Sequence, residues 1–360
     1  MMEKMKIGII GCGGVAIAKH LPALKSLDDV EIVAFCDTMK ERAIKAAEDF
    51  GSKRAIVCTD YHEIIESVDI DVVHVLTPNS SHCAITVDAL EHGKHVMCDK
   101  PMATNYTEAK LMLDTAKETG MKLTIGFQHR FRKDSAQLKE ICDRGDLGEI
   151  YFAKAHALRR RAVPTWGVFL DKEKQGGGSL IDIGIHSLDL TLWMMDNYKP
   201  KTVVGSVYRK LADTAGGNAW GPWDRDKFTA EDSAFGYIIM ENGATIILES
   251  SWALNIHTDE EAKVTLCGTK AGADMMDGLR INYDDLDTLY ITKPDFDPRG
   301  AAFFTGANEQ INSAFAEARA WIDSIRNNTV VPTPPEEAIV VTQISDAIYE
   351  SSKTGKPIIF

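Results

Sequence analysis

The chain is poor in the residues that would mark it as a disulfide scaffold, a zinc module or a nucleic-acid binder. Its seven cysteines (Cys12, Cys36, Cys58, Cys83, Cys98, Cys142 and Cys267) are odd in number and contain no C-x-x-C pair. That speaks against a disulfide framework and against a zinc site. Several lie inside apolar runs, where a reduced thiol behaves as a small hydrophobe, as expected in a reducing, cytoplasmic compartment. Basic charge is outweighed by acidic charge. The formal net charge is −13, and Arg159-Arg160-Arg161 is the only basic run. A phosphate-binding face needs clustered Lys and Arg, so no nucleic-acid partner is expected. The run reads as a solvated strand end, with a local anion contact as the alternative. No stretch approaches the ~18 apolar residues of a membrane span. The opening MMEKMKIGIIG enters a strand-like run without an h-region or cleavage site, so neither membrane insertion nor a secretory signal is expected. His62, His74, His92 and His95 show no metal-ligand spacing and read as structural. Gly-x-Ser-x-Gly is missing too.

What is present is an ordinary globular balance, 44% hydrophobic and 26% charged over 360 residues, enough for two domains with separate cores. Up to residue 126, short β-rich runs (6–10, 30–36, 55–57, 72–76, 95–98 and 123–125) alternate with helical stretches. Gly51, Gly93 and Gly120 stop three of those helices. Such alternation predicts βαβ units and an α/β, doubly wound parallel sheet of Rossmann type. Beyond residue 132 the pattern changes. A helix at 135–143 and a strand at 149–158 lead to a strongly helical 179–195, then to strands at 203–209, 233–240, 244–252, 262–267, 279–283 and 289–291. Helices at 309–325 and 335–354 follow. This predicts a C-terminal α+β domain with a large, mostly antiparallel open sheet. Glu241-Asn242-Gly243 is a hairpin signal, and 213–226 reads as a long loop of the kind that often carries function. The expected division is 1–128 and 129–360.

Directly after the first strand stands Gly11-Cys12-Gly13-Gly14-Val15-Ala16, a G-x-G-x-x-A form of the dinucleotide fingerprint. Gly11 would make the tight turn, Gly13 would admit the pyrophosphate, and Ala16 would let helix and strand pack closely. The helix N-terminus offers free N–H groups to phosphate. Asp37 ends the next strand, at the ~20-residue spacing expected of a ribose-binding carboxylate. A helix N-cap for 40–50 is its alternative, and both roles could hold. Neither Thr38 nor Met39 could neutralise a 2′-phosphate, so NAD is preferred over NADP.

At Cys98-Asp99-Lys100-Pro101 the chain resembles the Glu-Lys-Pro signature of the glucose–fructose oxidoreductase / inositol dehydrogenase / rhizopine-catabolism (Gfo/Idh/MocA) family. Two further segments are similar to that family's motifs. One is Thr77-Pro78-Asn79-Ser80-Ser81-His82. The other is Gly176-Gly177-Gly178-Ser179-Leu180-Ile181-Asp182-Ile183-Gly184-Ile185-His186. The resemblance covers nearly the whole chain. It implies an NAD(P)-dependent oxidoreductase of a sugar or cyclitol. Lys100 would lie between nicotinamide and substrate hydroxyl, Asp182 would orient groups, and His186 would be the acid/base. It also implies cofactor-lining roles for Gly14, Val15, Thr77, Pro78, Asn79, His82, Asp99 and Gln128. A homodimer or homotetramer assembled through the open sheet is implied as well. Asp99 departs from the family's usual Glu, and the shorter carboxylate puts its role in doubt.

The residues themselves carry part of this reading. Asp182, His186 and Asp189 fall on one helical face among Leu180, Ile183, Leu188 and Leu192, where polar groups need partners. A structural ion pair and a polar cleft wall both remain open. The glycine run, which brings backbone close to something, favours a site. Lys100, followed by Pro101, is biased to extended backbone and projects where such sheets bind ligands. His suits proton transfer near neutral pH, and Lys suits alkoxide stabilisation. Arg159, Trp166 and the 220–226 loop are candidate contacts for a polyhydroxylated ring. The competing reading is a non-catalytic NAD(P)-binding sensor or corepressor on the same fold.

Overall fold

The computed structural model describes residues 3–214, 216–257, 259–294 and 307–360. The chain divides into two compact units, each built round its own sheet.

In the first unit, β1 (Met5–Ile10), β2 (Val30–Cys36), β3 (Ile56–Cys58), β4 (Val72–Val75), β5 (His95–Asp99) and β6 (Leu123–Gly126) form a six-stranded sheet. The order is β3-β2-β1-β4-β5-β6, and the pairings are parallel. Parallel sheets of this kind are covered by helices on both faces, and β4 is buried along its whole length, His74 included. The order in which strands are added reverses between β1 and β4, so the switch point, where such sheets bind ligands, lies at their carboxyl ends.

The helix Ala307–Arg326 belongs to this unit. Its Ala314, Ala318, Trp321 and Ile322 are buried in one cluster with Ile7, Ile9, Leu21, Leu24 and Phe35. The chain thus returns to the first unit late in the sequence, whereas the sequence reading assigns everything after residue 128 to the second. An apolar helical stripe says that a face is buried, not which core it joins.

In the second unit, β7 (Ile150–Leu158), β8 (Pro200–Tyr208), β9 (Ser233–Met240), β10 (Thr245–Ser251), β11 (Glu260–Gly268), β12 (Ala271–Asp274), β13 (Arg280–Asp285), β14 (Thr288–Thr292) and β15 (Ile358–Ile359) form one sheet. Its order is β14-β13-β12-β11-β7-β10-β9-β8-β15. β7 and β10 pair in parallel and the rest are antiparallel. The hairpin signal is realised between β9 and β10, where Met240 N–H donates to Ala244 O at 2.8 Å and Gly243 takes φ +89°. β12 and β15 escape the sequence reading because they are too short to show a period. The helix Ile185–Met195, buried nearly all round, packs on β7 and β11. Among the described residues no helix is long and apolar enough to cross a membrane.

Candidate functional site

The glycine turn sits at the switch point. Gly11 has φ +95°, and a Cβ there would lie 2.5 Å from Leu76 O, so only glycine permits this approach to the end of β4. Gly13 and Gly14 face open space, a cradle that side chains would fill. The helix after them begins with one π-turn, Ala16–His20, whose Ala16 is fully buried. Asp37 follows β2 and is held at both oxygens: Oδ2 accepts from Cys12 N–H at 2.9 Å and Oδ1 from Met39 N–H at 2.8 Å. Met39, not Asp37, occupies the N-cap position of the helix Lys40–Phe50. The carboxylate therefore braces the glycine turn and stands at the end of β2. An open glycine cradle, a helix N-terminus and this fixed acid fit a dinucleotide without a 2′-phosphate.

Thr77, Pro78, Asn79 and His82 follow β4. His82 is buried, with Nδ1 2.8 Å from Pro101 O and Nε2 2.9 Å from Thr77 O. It clamps the segment after β4 to the segment after β5 and so positions the backbone at Lys100. Burial lowers its pKa although both carbonyls pull the other way. Lys100 is half-buried at the end of β5, and the Lys100–Pro101 peptide is cis.

Asp99 and Gln128 turn into a buried polar network. Lys19 Nζ lies 3.1 Å from Asp99 Oδ1, 3.2 Å from Gln128 Oε1 and 3.0 Å from Glu317 Oε2. His20 Nε2 is 3.2 Å from the same Asp99 oxygen. Burial alone would raise the Asp99 pKa, but Lys19 and His20 outweigh it and hold the carboxyl far below its usual range. Burial, followed by Lys19, lowers the His20 pKa. His20 is therefore neutral at pH 7 and serves Asp99 as an N–H donor, leaving Lys19 as its cation. His74 packs edge-on against His20 at 5.5 Å. Neither of its ring nitrogens has a hydrogen-bond partner among the described residues, and burial lowers its pKa strongly. Sequence reasoning found neither Lys19 nor Glu317: they lie on two helices far apart in sequence, and no spacing motif joins them.

These histidines give the first unit an acid limb. With folded pKa values of His20, His74 and His82 below the unfolded value of about 6.5, the unfolded chain binds protons first as pH falls. Stability is complete above that pH and declines below it. Each histidine adds up to about 1.4 kcal/mol per pH unit to the slope. His74→Leu is expected to reduce the slope of unfolding free energy between about pH 5 and 6.5 by one such increment. Denaturant titrations at several pH values measure this; an unchanged slope would mean that His74 titrates alike in the folded and unfolded chain.

In the second unit the close approach foreshadowed by the glycine run is made to protein. A Cβ on Gly177 would collide with the Tyr349 hydroxyl, and one on Gly178 with Glu231 O. The buried Glu231 carboxylate accepts from Gly178 N–H at 2.7 Å, Leu180 N–H at 3.1 Å and Tyr349 O–H at 2.9 Å. It thereby satisfies the free donors at the start of the next helix, and burial raises its pKa. The run is thus a packing requirement, and it starts the helix in a single π-turn, Leu180–Gly184, a feature frequent at functional sites.

Asp182 lies on that turn. Its Oδ2 accepts from Trp252 Nε1–H at 2.9 Å and is 3.9 Å from Arg159 Nη1. His186 and Asp189, further along the helix, are 6% and 1% exposed. Arg159 is no solvated strand end. It makes a two-pronged ion pair with Glu261, Nε to Oε2 and Nη2 to Oε1 at 2.6 Å each. A bulge in β11 between Glu260 and Lys263, with Ala262 at φ +51°, leaves Glu261 free to meet it. The 220–226 loop splits in two. Trp223 is core, its Nε1–H donating to Ala212 O at 2.7 Å, while Trp220 is 43% exposed beside Trp166, which is 52% exposed.

A phosphate-binding turn on a parallel sheet, joined to a unit that presents buried Asp and His on one helix, defines a two-domain nucleotide-dependent oxidoreductase. Residues 5–127 match the Gfo/Idh/MocA oxidoreductase family with its NAD-binding Rossmann fold, and residues 139–360 match that family's C-terminal alpha/beta domain. The chain belongs to this family, and its first domain is the family's NAD-binding Rossmann domain. It is 37% identical over 353 residues to D-glucoside 3-dehydrogenase of Escherichia coli (strain K12), a match spanning 98% of this chain and 96% of that protein. It is 34% identical over 198 residues to glucose-6-phosphate 3-dehydrogenase of Bacillus subtilis (strain 168), spanning 53% of this chain and 54% of that one. Levoglucosan dehydrogenase in complex with NADH has the same fold, with TM-score 0.84, 23% identity and 99% of each chain covered.

Proposed function

We propose that this protein is an NAD-dependent dehydrogenase of a ring hydroxyl in a glucoside, with His186 as acid/base, Lys100 stabilising the alkoxide and Asp182 orienting the substrate. The observation that carries this reading is the end-to-end relationship to a D-glucoside 3-dehydrogenase. The glycine cradle at Gly13 and Gly14 and the buried polar helix face support it.

Bound NAD supplies the hydride acceptor. The chain's own residues handle the proton and the charge. As the ring carbinol is oxidised, the His186 imidazole takes the hydroxyl proton. The Lys100 ammonium lowers the energy of the alkoxide that develops. Asp182, fixed by the Trp252 indole N–H, orients a neighbouring ring hydroxyl. His82 and the Asp99 network hold the backbone that carries Lys100, so its ammonium meets the substrate at small reorganisation cost.

The test is NADH formation by the purified protein with a panel of glucosides, free aldoses and inositols, run in both directions. Turnover is expected on at least one glucoside. NAD binding with no turnover on any compound would move the protein to the sensor class.

A further inference from the structure

We propose that Trp166 and Trp220 form a stacking platform for the aglycone or second ring of a glycoside, so that the site selects glycosides over free monosaccharides. The proposal rests on the dehydrogenase reading for the identity of the reacting ring, and on this unit's own geometry for the rest.

Two indoles about half-exposed side by side are unusual for an ordinary surface, since large apolar area is normally buried. Their ring centroids are 4.9 Å apart at 69°, and Phe169 backs Trp166 edge-on at 6.0 Å. The loops that carry them are stitched together. The Asn218 side chain accepts from Val163 N–H at 2.8 Å and donates to Val163 O at 3.0 Å and Gly221 O at 2.8 Å. Thr165 Oγ1 donates to Trp220 O at 2.9 Å, and Ala219 N–H to Arg161 O at 2.9 Å. This bonding fixes the pair before any ligand arrives, which lowers the ordering cost of binding.

The pair is continuous with the candidate site. The Arg159 guanidinium lies 5.1 Å from the Trp220 ring centre, and its Nη1 is 3.9 Å from Asp182 Oδ2. The Trp pair is thus one guanidinium further out than the residue proposed to orient the reacting ring. A ring attached to that sugar would meet the indole faces with its C–H surface, while Arg159 and Glu261 address hydroxyls at the junction. Tryptophan suits this task because its face is apolar and its edge polar.

The experiment compares phenyl glucopyranoside (both anomers) with D-glucose as substrates of wild type, Trp220→Ala, Trp166→Ala and Trp220→Phe. Wild type is expected to favour the phenyl glucoside. Trp220→Ala should raise KM for the glucoside about tenfold, equivalent to about 1.4 kcal/mol, with kcat nearly unchanged and a clearly smaller change with glucose. Trp220→Phe should restore most of the loss. Equal losses on both substrates, or none on either, would overturn the platform. Calorimetric titration of the phenyl glucoside separates this proposal from the parent one. Binding that weakens in Trp220→Ala without turnover in wild type would sustain the platform and reject the dehydrogenase reading. Binding indifferent to both tryptophans would reject the platform, as would a change of oligomeric mass in Trp220→Ala with glucoside binding intact, which would assign the patch to a second copy of the chain.

Discussion

Replacing His186 with alanine is expected to lower kcat about 10²–10⁴-fold, the range for loss of a positioned general base. NAD affinity should change little, because the dinucleotide-binding motif lies in residues 5–127. The effect should fall on kcat and kcat/KM together, as for an interaction made in the transition state. Steady-state kinetics on whichever glucoside turns over, with NAD titration alongside, measures all of this. A variant with raised KM and intact kcat would reassign His186 to ground-state binding of the ring, and the proton would need another acceptor.

Lys19→Met is expected to destabilise the first unit by about 3–5 kcal/mol, the usual cost of removing one partner from a buried ion pair. Lys19 is the cation for both Asp99 and Glu317, whose side chains are 10% and 2% exposed. Without it two carboxylates remain in a low-dielectric site, with neutral His20 as a donor to one of them. Adding Glu317→Gln to Lys19→Met should recover part of the loss, because one uncompensated charge is removed. The coupling between the two substitutions is read from a double-mutant cycle of unfolding free energies. A single-variant loss below about 1 kcal/mol would mean that the cluster is hydrated and behaves as a surface pair. The network also holds the acid that precedes Lys100. Asp99 points to Lys19 and His20 on the helix that leaves the glycine turn, and it fixes the end of β5 from behind.

Much of the candidate site is legible in the chain, for reasons that differ from motif to motif. The glycine turn is readable because phosphate binding by backbone restricts residue type at fixed offsets: Gly11 needs φ +95°, and Gly13 must leave space. Lys100, Asp182 and His186 stand out because Pro follows the one and an otherwise apolar helix carries the others. The 176–178 run was legible only as a close approach. Its partners, Tyr349 and Glu231, lie at distances along the chain that no local pattern encodes. Arg159 shows the same limit: in sequence it is one of three arginines, and only the β11 bulge gives it Glu261.

The sequence by itself determined the alternation of strand and helix, the dinucleotide turn, the acid at the end of β2 and the family, because each is written in residue types at short, regular spacing. The tertiary structure alone decided that the helix Ala307–Arg326 returns to the first core, that Lys19, Asp99 and Glu317 share one buried charge site, and that Trp166 stands beside Trp220. Those are contacts between segments distant in sequence. Their physical basis is the packing of complementary faces and the pairing of charges removed from water, and periodicity names the faces without naming their partners.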